Sequence, residues 1–217
     1  MSKNIVILDY QLGNLFSVKQ ACDYVGLNAK ISSEKEDIMA ADGIILPGVG
    51  AFRSAMENLE KLDLIHPLKD FVSAQKPLFG ICLGLQLLFT ESEEFGSQKG
   101  LGFISGTIKK FSNNPALRPG AKVPQIAWNR IYGSDQSWID TPLIGINQDE
   151  FMYFVHSYYV DAADEETVVS RSTYENVEYC SSVKNNFNIF ATQFHPEKSG
   201  HKGLSIYSNW ASQNNLI

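Results

Sequence analysis

The chain has 217 residues, of which 44% are hydrophobic and 19% charged, and it carries a net charge of −6 at neutral pH. This balance is that of a globular protein long enough for one sizeable core and excludes a disordered chain. The negative charge argues against general affinity for nucleic acid or for an anionic membrane surface.

Residues 4–8 form a short apolar strand, entered directly from Met1-Ser2-Lys3-Asn4 without the pattern of a signal peptide. Across residues 14–25, Leu15, Val18, Ala21, Cys22 and Val25 fall on one helical stripe, and Gly26 stands at the C-cap. Strands follow at 29–32 and 43–46, then helices at 51–59 and 64–74. Residues 77–81 read as a buried central strand, and Leu83, Leu85, Gln86, Leu87, Leu88 and Phe89 continue it as a helix. Strands alternating with helices predict a parallel sheet that binds ligands beyond its carboxyl edge.

The second half changes character. Residues 103–111, 125–132, 151–160, 167–173 and 178–184 read as strands, several of them aromatic or β-branched, with a loop at 113–120. A strand at 188–194 leads to a final helix at 202–214 bearing Leu204, Ile206, Tyr207 and Trp210. The expected fold is α/β, a mostly parallel central sheet flanked by helices with an antiparallel extension. Without a linker, repeat or low-complexity stretch, residues 1–217 are expected to form a single domain. No run approaches the ~18 apolar residues of a membrane span.

Gly80-Ile81-Cys82-Leu83-Gly84 carries the strongest chemical signal. A nucleophile on a sharp strand-to-helix turn needs small neighbours, and a helix start offers N–H groups and a dipole that favour thiolate over thiol. A buried structural cysteine is the competing reading of the pentapeptide alone. The three cysteines, Cys22, Cys82 and Cys180, are odd in number and scattered, with neither a disulfide framework nor metal-ligand spacing. A reactive thiol suits a reducing, cytoplasmic setting.

A cysteine nucleophile needs a base. His195 ends an apolar segment, is followed by Pro196, and has Glu197 two residues on to orient the ring. His156 competes for the role, whereas His66 and His201 read as surface residues. A third element, Pro47-Gly48-Val49-Gly50 after the 43–46 strand, has two glycines whose backbone N–H groups can face an oxyanion. It has neither a G-x-G-x-x-G pattern nor a Walker lysine, so a nucleotide gains little support. The aromatic residues Phe151, Tyr153, Phe154, Tyr158 and Tyr159 fit strand packing better than a base-stacking platform. Glu91, Glu93 and Glu94 read as a solvated helix end, and no metal or other cofactor is expected.

Gly80-Ile81-Cys82-Leu83-Gly84-Leu85-Gln86 and His195-Pro196-Glu197 together resemble the elbow and base pair of triad-type (class I) glutamine amidotransferases. Asp9-Tyr10-x-x-Gly13-Asn14-Leu15, Pro47 to Phe52, Phe154 to Tyr158 and Gln193 to Ser199 narrow the resemblance to glutaminase subunits of imidazole glycerol phosphate synthase, and it covers essentially the whole chain. The resemblance implies hydrolysis of L-glutamine with Cys82 as nucleophile, His195 as base and Glu197 as its orienting acid. The oxyanion would be met by the Leu83 N–H and an N–H around Val49-Gly50. Gln86 and the main chain near Gly50, Ser157 and Tyr158 would hold the amino-acid end.

Ammonia released into water is protonated and lost, so a partner must take it across an interface. The implied partner is a (β/α)8-barrel synthase (cyclase) subunit in a heterodimer, met by Tyr10, Asn14, Trp128 and Lys198, with low glutaminase activity until it binds. One segment departs from the resemblance. Pro124-Gln125-Ile126-Ala127-Trp128-Asn129 stands where those subunits usually carry Pro-His-Met-Gly-Trp-Asn. It lies at the implied partner face and leaves open a paralogue serving a surface-sugar amidotransferase. A cysteine hydrolase of related α/β fold is the further alternative.

Overall fold

A computed structural model describes residues 3–133 and 138–217; Met1 and Ser2 of the expected lead-in lie outside them. The first half runs β1 (Ile5–Leu8), α1 (Leu15–Tyr24), β2 (Ala29–Ser32), α2 (Lys35–Ala40), β3 (Gly43–Leu46), α3 (Phe52–Lys61), α4 (Ile65–Ser73), β4 (Leu78–Ile81) and α5 (Leu83–Leu87). The second half runs β5 (Phe89–Ser92), β6 (Gln98–Lys99), β7 (Ile104–Lys110), β8 (Gln125–Ile131), β9 (Glu150–His156), β10 (Tyr158–Ala162), β11 (Val168–Tyr174), β12 (Val177–Lys184), β13 (Ile189–Thr192) and α6 (Gly200–Gln213).

The main sheet has the order β2-β1-β3-β4-β13-β12-β10-β7-β5-β6, with β11 paired to β12. From β2 to β13 every pairing is parallel, and from β13 to β7 every pairing is antiparallel. This is the expected parallel centre with an antiparallel extension. All residues of β1, β3, β4 and β13 are buried, because helices cover both faces of a parallel sheet and leave no polar side for alternation. Successive residues still divide between faces. Ile5 and Ile7 join the core layer containing Val18, Phe79 and Trp210, while Val6 and Leu8 join the opposite layer with Phe52, Leu59 and Leu68.

Three local readings are corrected. Residues 35–40 form the unexpected helix α2. The helix after Cys82 is only five residues long and does not reach Phe89. Phe89 instead enters β5, pairing with Ile104 of β7, so tertiary pairing overrides the helical run of leucines. The strand expected over 151–160 breaks at Ser157. β9 pairs with β8 in a separate two-stranded sheet, and β10 joins the main sheet between β7 and β12.

The register decides what meets at the carboxyl edge. Leu46 lies beside Gly80, and Thr192 beside Ile81. The residues just past β3, β4 and β13 are therefore neighbours: Pro47-Gly48, Cys82, and Gln193 through His195.

Candidate active site

Cys82 has φ 55° and ψ −107°, a left-handed backbone that a non-glycine residue holds only under external constraint. The constraint is visible on both sides. The Cys82 N–H donates to Thr192 O at 2.7 Å, and a Cβ on Gly84 would stand 1.8 Å from Leu46 O. Only glycine at position 84 lets α5 press this close to β3. With α5 so short, its dipole is a minor influence, and the sulfur's surroundings come mainly from other elements.

Three groups face that sulfur. Gln193 Nε2 donates to Cys82 Sγ at 3.7 Å, and Val155 O lies 4.0 Å from it. The third group is the His195 ring. Its Nε2 is buried without a hydrogen-bond partner, and its Nδ1 is 2.7 Å from Glu197 Oε1. The side chains of His195 and Glu197 are 2% and 1% exposed. Burial opposes a charged imidazole, but the nearby Cys82 sulfur and the Glu197 carboxylate outweigh it and raise the His195 pKa to about 10. A proton is therefore held on this ring while the sulfur is anionic. The segment is clamped by β9: His195 N–H donates to Tyr153 O at 2.9 Å, Tyr153 N–H to Ser199 Oγ at 3.0 Å, and Ser199 Oγ to His195 O at 2.6 Å.

Beside Cys82 lies a pocket of about 420 Å³, within the range of small-molecule sites. Val49, Gly50, Leu83, Gln86, Ser157, Tyr158 and Lys198, all singled out from the sequence, line it. Two of them are engaged differently from expectation. The Leu83 N–H, expected to face an oxyanion, donates to Gly48 O at 3.3 Å. Gln86 Nε2 donates to Tyr158 O and to Gln193 Oε1, both at 3.0 Å, so its amide hydrogens face protein and not the pocket.

Of the residues expected at a partner face, Trp128 is 53% exposed, Lys198 is exposed with Nζ 5.8 Å over the Tyr153 ring, and Asn14 is half-buried as the N-cap of α1. Tyr10 is a correction. It is fully buried, and its hydroxyl donates to Pro47 O at 2.7 Å, because the loop after β1 folds beneath the loop after β3. Burial pushes the Tyr10 phenol well up, which keeps it a neutral donor to that loop.

Sequence reasoning missed Glu94, which lines the pocket and accepts the Phe52 N–H at the start of α3 at 2.6 Å. From the sequence it reads as a solvated helix end, because the turn from β5 toward α3 leaves no local pattern. His156 also lines the pocket. Burial lowers its pKa to about 4, and its Nδ1 is 2.7 Å from Tyr158 O. His66 is exposed on α4 and His201 on α6. Cys22 and Cys180 are buried, and burial pushes both thiols up to about 12. Among the described residues no cluster of His, Cys, Asp or Glu is gathered as a metal site requires.

A strained cysteine at the carboxyl edge of a parallel sheet, facing a buried histidine–carboxylate pair, defines a class of nucleophilic hydrolases. The overall fold matches that of a glutamine amidotransferase crystal structure, with a TM-score of 0.71 at 16% identity over 97% of this chain and 98% of that one. It also matches PurLQS from Thermotoga maritima, with a TM-score of 0.70 at 18% identity over 98% and 99%. The family model for glutamine amidotransferase class-I matches residues 6–212. The imidazole glycerol phosphate synthase subunit HisH of Methanosarcina mazei is 46% identical over 96% of this chain and 98% of its own length. That of Bacillus cereus is 44% identical over 95% and 93%. The chain belongs to the class-I glutamine amidotransferase family, and within it groups with the HisH subunits of imidazole glycerol phosphate synthase.

Proposed function

We propose that the chain hydrolyses L-glutamine and passes the ammonia to a synthase subunit that makes imidazole glycerol phosphate in histidine biosynthesis. The observation that carries this reading is the strained Cys82 beside the buried His195–Glu197 pair, at the mouth of a pocket sized for an amino acid. Cys82 thiolate attacks the side-chain amide carbonyl of glutamine. His195 gives its proton to the departing nitrogen, and Glu197 holds the ring and stabilises its cation. Water, deprotonated by the same imidazole, then hydrolyses the thioester. Glu94 is the carboxylate of the pocket and complements the substrate's α-ammonium group, with Lys198 the cation nearest its carboxylate.

The tetrahedral oxyanion needs donors, and here the Leu83 N–H is occupied by the Gly48 carbonyl. Rotating the Gly48–Val49 peptide would remove that carbonyl and turn the Val49 N–H toward the same point. Each such donor contributes about 3–4 kcal/mol in comparable sites. The isolated chain is therefore a poor glutaminase, and partner binding supplies the rearrangement.

The surface for that partner is the outer face of β8–β9. Ile126 and Trp128 are exposed there, opposite Val155 and Tyr153, with Phe151 beside Arg130. The apolar face is continuous with the pocket through Val155 and with the His195 segment through Tyr153. A (β/α)8-barrel cyclase in a heterodimer, in the cytoplasm, is the partner this reading assigns. Among the described residues no helix is long and apolar enough to cross a membrane. The relatives named above favour the histidine-pathway partner over a surface-sugar paralogue and lend a cysteine hydrolase no support. The test is glutamate release by the purified chain, alone and with the cyclase and its phosphoribosyl acceptor present. Strong turnover only in the complex is expected. Absence of turnover even there would sink the proposal.

A further inference from the structure

Gln193 is fully buried between Cys82 and Gln86, and the reaction as described leaves it without a part. Its side-chain amide is not free to turn. Gln86 Nε2 has two acceptors, Tyr158 O and Gln193 Oε1. Were the Gln193 amide reversed, its own NH2 would face that donor, and two donors would meet in a dry site. The oxygen therefore points to Gln86 and the nitrogen to Cys82 Sγ, 3.7 Å away. Strand register puts it there, because Thr192 lies beside Ile81, and the next residue of each strand is Gln193 and Cys82.

We infer that Gln193 is a catalytic residue whose amide N–H stabilises the Cys82 thiolate, and that Gln86 is the positioning residue that aims it. This rests on the reading of Cys82 as the nucleophile. A thiol is a weak acceptor and a thiolate a strong one, so the bond strengthens when the proton leaves. It strengthens again when the thioester breaks and the sulfur departs as an anion. Val155 O, the main-chain group beside the sulfur, is an acceptor and cannot do this. Among the amides around the elbow, that of Gln193 is aimed at the reacting atom by a second side chain.

The test is the pH dependence of Cys82 alkylation by iodoacetamide in the full-length chain, read by peptide mass spectrometry. Buried Cys22 and Cys180 serve as slow internal references. In Gln193→Met the alkylation midpoint should move up by about one pH unit, the usual worth of a hydrogen bond to a charged group. The rate on the alkaline plateau should rise about threefold, because a more basic thiolate is the better nucleophile. A merely structural loss would lower that plateau. Gln193→Glu keeps the shape, sets a carboxylate against the sulfur and should move the midpoint further. Gln86→Met should shift it in the same direction, and the double variant should add little to Gln193→Met.

An unmoved midpoint in both Gln193 variants overturns the inference, as does strict additivity with Gln86→Met for the positioning role. Cys82→Ala separates the two levels. If it retains glutamine turnover, the underlying reading fails; if turnover is lost while the Gln193 variants shift nothing, only the present inference fails.

Discussion

The strands that carry Cys82 and those that clamp His195 are covered in different ways. β3, β4 and β13 are buried on both faces, so the elbow is built on a platform with no freedom to adapt. β8 and β9 form a two-stranded sheet buried on one side only. Gln125, Ile131, Met152, Phe154 and His156 point inward, while Ile126, Trp128 and Phe151 remain outside. Chemistry that needs fixed geometry sits on the doubly covered region. The surface proposed for the partner sits on the singly covered one. The two regions meet at Tyr153, whose main chain holds both His195 and Ser199.

The sharpest break of this comparison is Cys82→Ala. Glutamine-dependent synthesis by the complex should fall at least about a thousandfold, while synthesis from added ammonia is retained. Equal loss of both would mean that the elbow also serves the partner's reaction. Next is Gly84→Ala, whose new Cβ would collide with Leu46 O. It should cost about 3 kcal/mol or more by thermal or urea unfolding. Ala127→Gly on β8 should stay within about 1 kcal/mol. Similar costs at both positions would erase the distinction between a rigid platform and a half-covered sheet.

His156, at the end of β9, supplies a pH-dependent measure. Its folded pKa of about 4 lies below the unfolded value of 6.5, so its contribution is complete above pH 6.5 and lost as pH falls toward 4. Urea midpoints should report a loss of about 3 kcal/mol over that window. His156→Gln, which retains a donor for Tyr158 O, should flatten it. A smaller effect than at Cys82, Gly84 or His156 is expected at Trp128→Ala. It should weaken the partner complex roughly tenfold, as for an exposed aromatic anchor, with an unchanged melting temperature. A lowered melting temperature of the isolated chain would show that Trp128 packs the fold and is no free docking residue.

Much of the platform was legible because its signals are local. The apolar runs at 43–46 and 77–81, the helical stripe after Asn14, and the glycines around Cys82 each report a conformation that the neighbouring residues themselves impose. The antiparallel half was legible as strands but not as partners. The alternation across 125–132 and 151–160 is the same whether a strand joins the main sheet or a separate one, so the break at Ser157 could not be read. The leucines of 83–88 have helical spacing, yet β5 captures Phe89 through long-range pairing with Ile104.

The chain by itself determined the residue types of the site, the order in which they occur and the strand ends on which they stand, since these follow from composition and short-range pattern. Only the tertiary structure decided their company. Parallel pairing of β4 with β13 joins Cys82 to Gln193 and His195 across more than a hundred residues. The fold of β5 toward α3 brings Glu94 to the pocket, and packing of two loops takes Tyr10 out of reach of any partner. Hydrogen bonds and close contacts between distant segments set these outcomes, and they leave no periodic trace in the sequence of either segment alone.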